Sequence, residues 1–179
     1  ASNITLDNVT ISRSRREGVL LVAADNVNMN KVTIDNSEQD RDMDLVVLQG
    51  ASNVSITDMA LKGGINGLML VSSASLPDEA KTKNVKVDGL TIDGTRNAGI
   101  FFNPVGDISL KDVRITNAGT YGMFVYGDEW GFLGGPVNKA AYAFATAGLN
   151  IAEPASLRIM AAVMAAGMVP PLALLSVCW

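Results

Sequence analysis

The chain has 179 residues, a formal net charge of −4 and no histidine. The acidic balance excludes a general nucleic-acid binder, which needs a basic face, and the missing imidazole removes the commonest general base and metal ligand. The lone cysteine, Cys178, has no internal disulfide partner and says little about compartment.

A nine-residue phrase recurs five times along the first two thirds of the chain. It runs from Asn3 to Ile11, Asn26 to Ile34, Asn53 to Leu61, Asn84 to Ile92 and Asp107 to Ile115. The starts lie 23, 27, 31 and 23 residues apart, a period that predicts a stacked solenoid. No basic start and apolar run open the chain, so no secretory signal is read. Residue 1 enters the first repeat directly, which suggests a fragment or a processed product, since solenoid ends usually need a cap.

Positions two, four, seven and nine of the phrase are apolar in every copy; in the first they are Ile4, Leu6, Val9 and Ile11. Each pair alternates, so each fits one face of a short strand. The step of three between them predicts a corner at Asp7-Asn8, Asn30-Lys31, Thr57-Asp58, Asp88-Gly89 and Lys111-Asp112. A third apolar run closes each coil: Gly18–Val22, Asp44–Leu48, Gly67–Val71, Gly99–Phe102 and Gly122–Tyr126. Three strands per coil predict an all-β fold, a parallel β-helix of about five coils with three sheets, over residues 1–130. The Asn or Asp that opens each phrase predicts a side-chain ladder up the stack. The sequons at Asn3, Asn8 and Asn53 read as repeat chemistry before glycosylation.

Followed by its Gly-led apolar run, the phrase is similar to the right-handed parallel β-helix of the pectate-lyase-like superfamily, over residues 1–127. The resemblance implies carbohydrate-associated chemistry and leaves the reaction open, since function lives in sites grafted on folds. We assign no catalytic residue, no metal site and no cofactor. Glycoside hydrolysis needs paired carboxylates, and no strand position supplies them. The acidic group Glu38, Asp40, Asp42 and Asp44 has oxygen ligands of the calcium-binding kind but reads first as a solvated loop. Arg13, Arg15 and Arg16, one coil earlier, are placed to pair with it.

In the third runs, Val19, Leu45, Leu68, Ile100 and Met123 are expected to face inward. Leu20, Val46, Met69, Phe101 and Phe124 then face out, with Val22, Leu48, Val71, Asn103 and Tyr126 further along. So apolar a face needs a cover. A polysaccharide is one, with Phe101, Asn103, Phe124 and Tyr126 as substrate-binding residues, walled by the insertions 37–44 and 72–83. A partner subunit, a second copy of the chain, or the chain's own tail are others.

Residues 131–179 are a separate unit, an apolar segment expected to be α-helical. Ile159 to Trp179 holds no charged side chain, near the length a membrane helix requires, though Pro170-Pro171 would break it. Gly134–Phe144 and Ile159–Leu172 resemble the membrane permease subunit of the fructose-type phosphotransferase system. That resemblance implies part of a sugar channel, with Asn138 and Lys139 as its polar pair, and a membrane as partner. It points to the inner membrane, whereas the β-helix points to an extracytoplasmic site. Three functions follow: a polysaccharide-binding or structural β-helix without its own catalytic site, a fragment of a polysaccharide lyase or hydrolase, or a component of a sugar transporter.

Overall fold

The structure is a computed structural model that describes residues 1–38, 43–72, 81–103, 106–126, 144–147, 150–151 and 156–160. The first coil comprises β1 (Ser2–Asp7), β2 (Thr10–Ser12) and β3 (Val19–Val22). The second comprises β4 (Asp25–Asn30), β5 (Thr33–Asn36) and β6 (Val46–Gln49). The next three are β7 (Ser52–Gly63) with β8 (Leu68–Val71), β9 (Lys83–Asp93) with β10 (Ala98–Asn103), and β11 (Gly106–Thr116) with β12 (Tyr121–Tyr126). Every pairing is parallel, and like positions of successive phrases meet: Val27 lies beside Val54, Val54 beside Val85, and Val85 beside Ile108. Four full turns therefore separate β1 from β11.

The phrase dictates this stacking. From the second copy onward all its apolar positions are buried, from Val27, Met29, Val32 and Ile34 to Ile108, Leu110, Val113 and Ile115. In the first copy Ile4, Leu6, Val9 and Ile11 are only partly buried, because β1 and β2 have neighbours on one side alone. The opening Asn or Asp of every phrase has a left-handed backbone, φ 49 to 58°. So does the second corner residue: Asn8, Lys31, Asp58, Gly89 and Asp112. Asn and Asp enter that region more readily than other side-chain-bearing residues, because their short polar groups bond locally.

The expected three sheets are two. β7, β9 and β11 continue through their left-handed corners, so the first two faces join into one bent sheet of nine strands. The third runs form a separate sheet in the order β15-β12-β10-β8-β6-β3, with β15 described below.

The second coil's third run is displaced by one residue from the expectation. Val46, not Leu45, lies beside Val19 and Leu68. Leu45 takes the glycine position of the other coils: its carbonyl accepts from Val19 N–H, as that of Gly67 accepts from Val46 N–H. A Cβ at Gly18, Gly67 or Gly99 would fall within 2.9 Å of an isoleucine methyl and of the neighbouring coil's carbonyl. Leu45 is accommodated because Gly64 lies against it; a Cβ there would be 2.8 Å from Leu45 Cδ2. Consequently Val46 and Leu48 point inward and are fully buried, while Gln49 takes the outward place expected of Leu48.

Where the C-terminal unit is described, it is extended rather than helical. β13 (Phe144–Ala147) and β14 (Asn150–Ile151) pair with β11, and β15 (Ser156–Met160) pairs with β12. Together they lay a partial further coil on the end of the stack. The rest of the expected helix lies outside the described residues. Among the described residues, no helix is long and apolar enough to cross a membrane.

Candidate functional site

Two surfaces deserve chemical description. The first is the outer face of the six-stranded sheet. Its central column is Leu20, Val47, Met69, Phe101 and Phe124, set by the register of β3, β6, β8, β10 and β12. Val47 replaces the expected Val46, again because Leu45 occupies the glycine position. Leu20 is 48 % exposed at the β3 edge, and Val22 beside it 55 %. Met69, Phe101 and Phe124 are half-buried. Phe101 and Phe124 are register partners, and their rings stack with centroids 5.1 Å apart and planes 24° apart. Tyr121 adds a third ring, 4.9 Å from Phe124 and tilted 37° to it. Sequence reasoning missed Tyr121 because it precedes the Gly-led run.

The backbone puts Asn103 beside Val71 and Tyr126 beside Met160; their side chains lie outside what is described. Asn138 and Lys139 also lie outside the described residues.

The second surface was not foreseen. It is a groove of about 300 Å³ at the corner between the phrase and the third run. Asn36, Ser37 and Glu38 come from the second coil, Lys62, Gly63 and Gly64 from the third, and Gly94 and Arg96 from the fourth. Gly63, Gly64 and Gly94 all have left-handed φ, 70 to 79°. The signal in the sequence was Lys62-Gly63-Gly64 followed one coil later by Gly94, glycines just past the end of each phrase that leave backbone where side chains would stand.

Charges around the groove are balanced by position. The outer column reads Asp35, Lys62, Asp93 across adjacent strands. Asp35 accepts from Ser37 N–H at 2.9 Å and Ser37 Oγ at 2.6 Å, and those bonds hold its carboxyl below the usual carboxylate range. Asp93 accepts from Thr116 Oγ1 and Asn117 Nδ2, both at 2.7 Å, with the same effect. Lys62 adds a weaker pull on each. Glu38 is met by Arg13 of the first coil, whose Nε and Nη2 donate to Oε2 at 3.1 and 2.8 Å. That pair is the cross-stack contact expected of the arginines; Arg16 instead lies beside Glu17, at 3.6 Å.

Asp40 and Asp42 lie outside the described residues. Asp44 is separate from Glu38 and heads an amide ladder: it accepts from Asn66 Nδ2 at 2.7 Å, and Asn66 Oδ1 accepts from Asn97 Nδ2 at 2.9 Å. Asn66 Oδ1 also accepts from Ala98 N–H. Burial pushes the Asp44 carboxyl above its ordinary value, against the pull of Asn66. Among the described residues no group of three or more Cys, Asp or Glu is gathered for a metal ion. The phrase-opening ladder is present in part. Asn26 donates to Asn3 and Asn84 to Asn53, but Asn53 donates to Asp25, which also accepts from Ser52.

Comparison with known proteins decides the family. The family described as "Right handed beta helix region" matches residues 1–133. The chain belongs to the right-handed β-helix family. The match takes in all five phrases and supplies the hand of the coil, which parallel pairing alone does not state. This β-helix protein is also similar to two curated relatives. It is 46 % identical over 65 residues to the "PTS system fructose-specific EIIB'BC component" of Escherichia coli (strain K12). It is 48 % identical over 65 residues to the protein of that name from Rhodobacter capsulatus. Each match covers 36 % of this chain and 11 % of the relative, so the chain spans about a tenth of the curated proteins it matches. No solved structure matches it.

Proposed function

We propose that this protein is a carbohydrate-associated β-helix module that binds a polysaccharide along the outer face of its six-stranded sheet, without a catalytic site of its own. The observation that carries the reading is the aromatic strip of Phe101, Phe124 and Tyr121 on that face. Parallel strands hold Phe101 and Phe124 about one strand spacing apart, and apolar ring surface beside water suits the C–H faces of sugars. The stacked pair spends part of its ring surface on itself, so Tyr121 and the outward ring edges carry the contact. Asn103 and Tyr126, two residues on from Phe101 and Phe124 in the chain, are further candidates for the contact. The absence of histidine from the sequence removes the commonest general base and supports binding over hydrolysis.

The test is affinity electrophoresis in gels cast with pectin, alginate or neutral glucans, with the same mixtures assayed for new reducing ends and unsaturated products. Retardation without products is expected, and Phe124→Ala should weaken it by about tenfold, within the 1–3 kcal/mol range of a stacking contact. Product formation would replace this reading with the lyase or hydrolase fragment. Unretarded migration in every polymer would end it.

The similarity to the fructose-specific components favours a second reading, a piece of a sugar transporter in which Asn138 and Lys139 are the polar pair. Fractionation separates the two. A transporter piece stays with membranes after alkaline wash, and a binding module is released.

A further inference from the structure

We infer that the corner groove is a second subsite, for one neutral, hydroxyl-rich sugar unit, away from the aromatic strip; this rests on the carbohydrate reading above. Its size is at the lower end of small-ligand sites. Its lining offers both donors and acceptors: the Lys62 ammonium and the Arg96 guanidinium with the Glu38 carboxylate, while the Asn36 amide is already bonded to Ser14. A hydroxyl both donates and accepts, so a sugar ring can satisfy such a lining where an anion satisfies only its cations.

The charge count argues the same way. Lys62 stands between Asp35 and Asp93 in the outer column, and Glu38 is matched by Arg13. An incoming anion meets as much repulsion as attraction, whereas a neutral polyol gains charge-assisted hydrogen bonds from both signs. The floor is backbone. A Cβ on Gly94 would meet nothing within 4 Å, so the glycine leaves open room over the groove. A side chain there projects into unoccupied space.

That geometry supplies a test that spares the fold. Gly94→Asn tolerates the left-handed backbone and fills the groove mouth. Lys62→Gln keeps a polar side chain, one atom shorter, and removes the ammonium. The full chain and both variants are titrated by calorimetry with neutral hexose oligosaccharides, the matching uronate oligosaccharides and inorganic sulfate, with melting temperature as the fold control. Lys111→Gln, on another corner, serves as the remote control. The expected result is binding of neutral oligosaccharide, weakened about tenfold by Gly94→Asn and several-fold by Lys62→Gln, at unchanged melting temperature. Uronates should bind no tighter than neutral sugars. Unchanged affinity in a folded Gly94→Asn protein overturns the subsite, and so does tighter, salt-sensitive binding of uronate or sulfate. If wild-type protein binds and only Phe124→Ala weakens it, the groove alone is refuted. If wild type binds no sugar at all, the carbohydrate reading falls with it.

Discussion

The first coil and the third are spelled with the same phrase, yet they stand in different surroundings. Val54, Ile56, Met59 and Leu61 are at most 2 % exposed, while their counterparts Ile4, Leu6, Val9 and Ile11 are only partly buried. The residues are equivalent; the neighbours are not. In a solenoid each coil is buried by the coils on either side, so a residue's energetic weight follows its place in the stack as well as its type.

The sharpest way to break that comparison is to truncate equivalent side chains. Ile56→Ala should cost about 2–5 kcal/mol, in the range of large-to-small core changes. Ile4→Ala should cost roughly 1 kcal/mol, because less apolar area returns to water. Urea unfolding of both variants checks the ratio, and equal losses would refute the stack-position argument.

Glycines sharpen it next. Gly99→Ala places a Cβ 2.5 Å from Ile115 Cγ2 and 2.7 Å from the Gly122 carbonyl, and should cost about 1–3 kcal/mol through overpacking. Gly94→Ala meets open space and is left with its φ of 70°, at about 1 kcal/mol. Thermal melts should rank the two in that order.

The amide ladders come third. Asn66 is 6 % exposed and joins Asp44, Asn97 and Ala98, so Asn66→Ala should cost about 1–3 kcal/mol by orphaning buried partners. Asn26→Gly removes an exposed rung while tolerating the left-handed backbone, and should stay within about 0.5 kcal/mol.

The smallest effect is a pH dependence of opposite sign at two kinds of aspartate. Asp44 is raised by burial, so its ionised form opposes folding at neutral pH. That opposition fades as pH falls through its elevated folded value. Asp35 and Asp93 are lowered, so their stabilisation is present above the ordinary carboxylate range and is lost as pH falls through their depressed values. Asp44→Asn should therefore be slightly more stable than wild type at pH 7, with the gap closing toward pH 4 in denaturant titrations. A gap that widens on acidification would contradict the burial of Asp44.

Much of this was legible in residue order. Four apolar positions per phrase, a fixed corner and a polar first residue leave one economical solution: short strands stacked in parallel around an apolar tube. That follows from period-two alternation interrupted at a constant place, which is local chemistry. The aromatic partners Phe101 and Phe124 were legible for the same reason, since equivalent positions in successive coils must meet.

Other features depend on contacts between coils, which spacing does not encode. Leu45 fills a glycine position because Gly64, nineteen residues on, leaves room for it, and that exchange reset which of Val46, Val47 and Leu48 face inward. The strands β13, β14 and β15 carry no phrase, yet they pair with β11 and β12, whose open backbone groups accept another strand irrespective of side-chain pattern. The corner groove arises likewise, from three coils leaving backbone where side chains would have closed the surface. The order of residues thus determined the tube and its inward columns, because alternation is a property of one strand. Only the stacked structure decided the joined sheets, the shifted second coil and the groove, because each is a fit between surfaces distant in sequence.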